Sequence, residues 1–392
     1  TIVIYYADHG GVLPRSKRFL FDSGTHVPMI VRFPKKYAHL APGKPGQRTD
    51  RLVSFVDLAP SMLSLAGIKI PDYIQGEAFL GPQAAKPRDY VYLFRGRMDE
   101  RYDFARAVRD KRYKYIRNYM PHLPWGQHLE YLWKSKATQS LWAEYKAGRL
   151  KGAQKLFFQP KAVEELYDTK TDPHEVKNLA CDPKFADILK RMRKAQVDWA
   201  VEIHDTGFLP EAEFIARSQG TTPFEMVRDP KKYDQATVMA AADLAGARDV
   251  KNLPRLIKML GDKDSGVRYW GAIGCLALGD QAAGASEALG GAMEDSCPNV
   301  RIAAAESLCS MGKGDKALGV LIEALGDPSP RVTLHAANAL DYLGQKARGA
   351  VDAMKTAKCD GYTQRTLVWA LEELGEKRPA STKSRKPKRK KK

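Results

Sequence analysis

The sequence has few cysteines and no long apolar run. Its five cysteines, Cys181, Cys275, Cys297, Cys309 and Cys359, include no CxxC pair, so a zinc site is not expected. An odd number at scattered spacings gives no disulfide framework either. No stretch reaches the roughly 18 consecutive apolar residues of a membrane span. The hydrophobic and charged fractions, 44% and 28%, are ordinary for globular domains. Acidic residues are missing from 377–392, which carries ten Lys or Arg, so residues 1–376 hold only +8 of the net charge of +18. Such a block is expected to be a disordered basic tail with affinity for polyanions. An initiator Met is also lacking. Thr1 opens directly onto the apolar run 2–6, which reads as a buried strand whose preceding portion, with any signal peptide, lies upstream.

What is present divides by composition. Residues 1–217 read as mixed α/β. The runs 2–6 and 28–33 have the length and β-branched content of buried strands, and 90–94 and 106–117 read as strands of a meander. A helix is expected over 53–66, entered near Ser54 or Asp57 and stopped by Gly67. The aromatic stretch 125–158 and the segment 183–201 read as helical. Residues 218–233 form a linker. Beyond it, at 234–376, Ala, Leu and Gly dominate and a repeat is visible: 234–246, 267–279, 300–312, 332–344 and 363–375 each end in glycine. The eighth and eleventh positions after each start are apolar (Leu308 and Met311, Leu340 and Leu343, for example), which puts a buried stripe on one helical face. Each terminal glycine is expected to supply a left-handed cap. Shorter helices between these segments complete two antiparallel helices per unit, an all-α solenoid. The turns Asp262-Lys263-Asp264-Ser265-Gly266-Val267-Arg268 and Asp295-Ser296-Cys297-Pro298-Asn299-Val300-Arg301 resemble those of short HEAT repeats.

The chemistry-bearing motif is Ala7-Asp8-His9-Gly10-Gly11, at the C-terminal end of the first strand, where α/β sheets place ligand sites. Lys17 follows, then Phe21-Asp22 four and five residues later, His26, and Pro28 eleven residues after Lys17. Asp57-Leu58-Ala59-Pro60, Val108 to Ile116, and Leu166-Tyr167-Asp168 with Asp172-Pro173 and Asn178-Leu179 come after in order. Together this set resembles the type I sulfatases of the alkaline phosphatase superfamily, C-terminal half. The fold implied is an α/β sulfatase-like sheet fragment with an α+β C-terminal subdomain, followed by the HEAT-type solenoid.

The resemblance implies a sulfuric ester hydrolase that uses Ca2+. Asp8 and His9 stand at metal-ligand positions, and Lys17 stands at a catalytic lysine that contacts the sulfate oxygens. His26 replaces a frequent arginine and is either a substrate contact or a packing residue. The family's nucleophile, a formylglycine formed within Cys/Ser-x-Pro-x-Arg, has no counterpart: Cys181-Asp182-Pro183-Lys184-Phe185 has Phe where Arg is required. The nucleophile and the remaining calcium ligands are therefore expected in a missing N-terminal half of the sulfatase domain, and this portion alone is expected to be inactive. A sulfated small molecule or glycan is the expected substrate, and a periplasmic or extracellular location follows from the same resemblance. Two readings compete. One is a phosphodiesterase or phosphonate hydrolase of the same superfamily. The other is a binding scaffold, with a protein partner on the HEAT surface and polyanions on the tail. Nucleic acid is not an expected partner.

Overall fold

The computed structural model describes residues 1–359 and 361–377, and the basic tail from residue 378 lies outside them. By packing, the chain forms two compact units, residues 1–98 with 103–205, and residues 99–102 with those from 206 onward.

In the first unit, β1 (Val3–Tyr6) and β2 (Met29–Arg32) pair antiparallel, Val3 opposite Arg32 and Tyr6 opposite Met29. The sequence reads both as buried strands. Instead Val3, Tyr5, Tyr6 and Ile30 are exposed, because the two strands form a ribbon with no further strand beside them among the described residues. The short helix α1 (Asp22–Thr25) precedes β2. The expected helix from Ser54 is present: Ser54 and Asp57 form a capping box on a 3-10 turn that leads into α2 (Leu58–Leu65). Gly67, at φ 70°, ends it. Asp57 is buried and shared, accepting also from the Glu77 amide at 2.9 Å and from Arg88 at 2.8 Å.

A four-stranded antiparallel sheet follows in the order β3 (Val91–Arg95), β4 (Ala105–Arg109), β5 (Tyr113–Asn118), β6 (Glu164–Asp168). The run 106–117, expected as one strand, is a hairpin. The Asp110 carboxylate accepts from the amides of Arg112 and Tyr113 and turns the chain. Between β5 and β6 lie α3 (Glu130–Trp133) and α4 (Lys136–Lys146), in an aromatic cluster that joins Trp133, Trp142, Tyr145 and Phe158. The helix α5 (Ala186–Glu202) packs on β4 and β5 over Val108, Tyr115, Leu166 and Met192. Strand alternation sends Tyr115 to this apolar face and its neighbour Lys114 to the opposite one.

The second unit begins ahead of the expected boundary at 234. It contains α6 (Glu211–Arg217) and α7 (Pro223–Met226), and Met226, Val227 and Tyr233 of the stretch read as a linker are buried. Five repeat units follow. They run through α8 (Gln235–Gly246), α9 (Leu253–Met259), α10 (Ser265–Leu278), α11 (Ser286–Ala292), α12 (Pro298–Ser310), α13 (Gly314–Ala324), α14 (Pro330–Leu343), α15 (Val351–Thr356) and α16 (Gly361–Glu373). The stripe is as expected at the eighth positions, with Ala242, Cys275, Leu308, Leu340 and Leu371 buried, whereas at the eleventh Ala245, Leu278, Leu343 and Leu374 are buried and Met311 is partly exposed. The caps differ among themselves. Gly312 and Gly375, at φ 74° and 79°, close Schellman motifs: the Lys313 amide donates to Leu308 O and the Glu376 amide to Leu371 O. Gly279 (φ 58°, ψ −131°) and Gly344 (φ 51°, ψ −124°) instead open seven-residue 3-10 connectors. Gly246 stays helical, and Arg248 takes the positive φ in its place.

Candidate active site

Asp8 and His9 follow directly on β1. Asp8 Oδ2 lies 3.3 Å from His9 Nε2, and the Asp8 side chain is largely exposed. His9 Nδ1 lies 2.6 Å from its neighbour's carbonyl, Gly10 O. A neutral ring donating there leaves Nε2 as a lone-pair donor beside the Asp8 carboxylate. The two groups thus fit as two adjacent donors for one cation. A calcium ion takes about six to eight oxygen ligands, and no cluster of three or more candidate ligands occurs among the described residues. Asp8 and His9 are therefore suited to part of a calcium site. Gly10 is required for close approach rather than for a special φ: a Cβ there would stand 1.9 Å from Ser23 O, and the Gly10 amide donates to Gly24 O at 3.1 Å.

The loop from Pro14 to Asp22 carries Lys17. Its backbone is left-handed at two non-glycine residues, Arg15 (φ 65°) and Arg18 (φ 81°). The Lys17 ammonium sits 5.0 Å from the centre of the Tyr131 ring. Beneath the loop, the fully buried Lys114 Nζ donates to Leu20 O at 2.8 Å and pairs with Asp22 at 2.5 Å and Glu175 at 2.8 Å. Arg109, opposite Lys114 on β4, grips both Asp22 oxygens at 3.1 and 3.0 Å. Glu175 also accepts from the Asp22 amide. Burial works against ionisation of Asp22, but His26, Lys114 and Arg109 outweigh it and hold the carboxyl well below the usual range. His26 lies on the solvent side of this cluster, its Nδ1 3.6 Å from Asp22 Oδ2.

A second buried network lies behind Arg18. Arg95 donates to the Arg18 carbonyl and to Asp103 (3.1 Å), and Lys161 donates to both Asp103 oxygens at 2.9 and 3.1 Å. Burial pulls the Lys161 pKa down despite the partner carboxylate.

Comparison with known proteins places these features. Residues 14–129 match the family of the N-sulphoglucosamine sulphohydrolase C-terminal region, and residues 286–372 match HEAT repeats. The first half of this chain is similar to the C-terminal part of sulfatases. An ulvan-active sulfatase of Formosa agariphila is 40% identical over 251 residues, 63% of this chain and 41% of that protein. Human N-sulphoglucosamine sulphohydrolase is 28% identical over 219 residues, 52% of this chain and 42% of that protein. A solved structure, of a protein in complex with its substrate D-glucosamine-2-N,6-O-disulfate, is 20% identical with a TM-score of 0.34 and covers 52% of this chain and 35% of that one. The chain thus spans about two fifths of the length of the curated relatives it matches.

Within the sulfatase half, the sequence motifs come together only partly. Asp8 and His9 are adjacent, and Lys17 and His26 stand at the two ends of one braced segment, Lys17 against Tyr131 and His26 against Asp22. Sequence reasoning assigned no role to Lys114, Arg109, Glu175 or Arg95. Two signals were available. Lys114 and Arg117 interrupt the Tyr and Ile residues of 113–117, unusual for a central strand. Glu175 follows Asp172-Pro173-His174 in the late sulfatase motif, where no turn chemistry requires an acid.

Proposed function

We propose that the protein carrying this chain hydrolyses sulfate esters, with a sulfated glycan as substrate. The observation that carries this reading is the braced Lys17: an exposed-side cation on a loop pinned at Leu20, Asp22 and Arg18 by buried side chains, in sequence that matches sulfatases. A cation held rigidly is worth most where negative charge accumulates on departing sulfate oxygens, because no reorganisation is needed as the bond breaks. Asp8 and His9 would hold part of a calcium site, and the bound ion would add further positive charge at the sulfuryl group. His26, exposed and backed by Asp22, is suited to contact an anionic substrate. The formylglycine nucleophile is read as belonging to another part of the protein. An open apolar cleft of about 620 Å³, lined by Ile2, Ile4, Tyr6, Leu58, Met62 and Leu65, supports the packing of that part against β1 and α2. The sulfatase relatives support a periplasmic or extracellular setting, and no helix of the described residues is long and apolar enough to cross a membrane.

The test is Lys17→Ala in the complete enzyme, assayed on an aryl sulfate. Turnover should fall by about one to three orders of magnitude, the scale for one charge-stabilising group. Undiminished activity would remove Lys17 from the mechanism. A phosphate diester run in parallel separates sulfatase from phosphodiesterase.

A further inference from the structure

Lys114 and Lys161 are buried and locked by carboxylates, Lys114 between Asp22 and Glu175 and Lys161 on Asp103. Lys17 is held differently. Among the described residues its ammonium meets no carboxylate and no hydrogen-bond acceptor, and the contact it makes is with Tyr131, 5.0 Å from the ring centre. The acid beside that ring in sequence, Glu130, pairs with Lys134 one helical turn on, at 3.9 Å. The ring is shared, with Arg18 4.9 Å and Lys134 5.8 Å from its centre. Both sides of the Lys17 contact are fixed from behind. The Lys17 amide donates to Gly11 O at 3.0 Å, and the segment that follows is pinned at Leu20 and Asp22. Tyr131 lies in α3, which Leu132 and Trp133, with Leu129 just ahead of them, anchor by burial. The Trp133 amide closes this turn on Leu129 O at 2.9 Å. Tyr131 itself is left 43% exposed, on the side where Lys17 stands.

A lysine that is to meet a sulfate is under two opposed demands. Its four-carbon stem leaves the ammonium mobile unless something holds it. A carboxylate would hold it, but would also neutralise it and take up N–H groups that the sulfate oxygens need. An aromatic face meets both demands. It attracts the cation through its quadrupole and carries no full charge, so the ammonium remains a net cation. We propose that Tyr131 is a positioning residue for sulfate hydrolysis, its ring holding the Lys17 ammonium ready for the sulfate oxygens, a role that rests on reading Lys17 as a sulfate contact. The ring performs this task and the phenol hydroxyl has no part in it. The whole effect of Tyr131 on the reaction passes through Lys17.

The experiment uses the complete enzyme and 4-nitrophenyl sulfate, with Tyr131→Leu to remove the ring and Tyr131→Phe to keep it. Tyr131→Leu should lower kcat/KM by about 3- to 30-fold, the scale of a cation–π contact. Tyr131→Phe should stay within about twofold of the wild type. Tyr131→Gln, which suits an exposed helical position, gives the same reading as the leucine variant if that one folds poorly. The decisive comparison is made in the Lys17→Ala background. There Tyr131→Leu should cost nothing further beyond about twofold, because two residues acting as one unit are not additive. Full activity in both ring-free variants, or a phenylalanine variant as slow as they are, overturns the proposal. So does a ring-free variant that loses as much in the Lys17→Ala background as in the wild type, since Tyr131 would then act on the substrate or the fold directly. Lys17→Ala alone keeps the two readings apart. If it retains full activity, the sulfate reading itself fails. If it is slow while the ring-free variants are not, only the positioning role of Tyr131 fails.

Discussion

The two compact units bury different kinds of side chain. In the repeat unit the interior is alanine and leucine: Ala242, Ala303, Ala304, Ala336, Leu321, Leu340 and Leu371 are all within 1% of full burial. Its buried ionisable side chains are fewer among the described residues: Glu306 on α12, and Glu100 and Arg101, the latter 2.7 Å from Asp341. In the sulfatase unit, Arg95, Lys114, Lys161, Asp103 and Glu175 fill space that apolar residues fill elsewhere, and most of them end on one backbone segment, 18–22. Apolar burial is non-directional and tolerates rearrangement. A buried charge network is directional, and it fails badly when one member is lost. The repeat unit therefore has the interior of a region kept for stability, and the sulfatase unit that of a region in which position comes first.

The sharpest way to break this contrast is to remove a cation from the first unit. Lys114→Met leaves Asp22 and Glu175 buried beside one another without their shared partner. It should cost about 3–5 kcal/mol, the range for orphaning a buried ion, read from urea unfolding of the chain. A loss below about 1 kcal/mol would mean that the network does not hold the loop. In the repeat unit the same kind of test should run the other way. Burial raises the Glu306 pKa from 4.5 to about 8, so the folded state binds a proton that the unfolded state releases between those values. Stability should therefore be greatest below pH 4.5 as far as this group is concerned, and fall as pH rises towards 8. Glu306→Gln should stabilise the chain by roughly 2–4 kcal/mol at pH 9 and leave it unchanged at pH 4. A pH-independent effect would show that Glu306 is solvated in the folded protein. The smallest effect is at a cap. Gly312→Ala places a Cβ at φ 74° and should cost about 1 kcal/mol in thermal unfolding, with the helical signal intact.

The difference between the units also decided what was legible in the sequence. The repeats announce themselves because each needs the same local ingredients: an apolar pair three residues apart and a glycine at the end. Ser54 and Asp57 were legible for the same reason, a cap being a matter of four consecutive residues. Lys17, Phe21 and Asp22 were found through a resemblance, their spacing matching the sulfatase pattern. Their supports were not, because Lys114, Arg109 and Glu175 reach Asp22 across 87 to 153 residues of chain, and pairing at that distance leaves no periodic trace. The exposure of β1 and β2 escaped for a related reason. Hydrophobicity reports what a strand would bury, and the neighbour that would bury it is encoded elsewhere. The turn at Asp110 was within reach, since Asp followed by two basic residues interrupts the strand pattern of 106–117.

The unlike caps of the repeat unit have a consequence for how the array can be lengthened. Gly279 and Gly344 share nearly the same backbone angles and each leads into a connector of seven residues, Gly279–Ala285 and Gly344–Ala350. Gly312 and Gly375 share the other geometry. Connector types therefore alternate, and the module that repeats in full is a pair of helical hairpins rather than a single one. Duplication or excision of the segment from Gly279 to Leu343 preserves the alternation at both joints, whereas moving a single hairpin sets two connectors of the same type side by side. Growth or loss of this array by one unit is a mismatch, and by two is a copy.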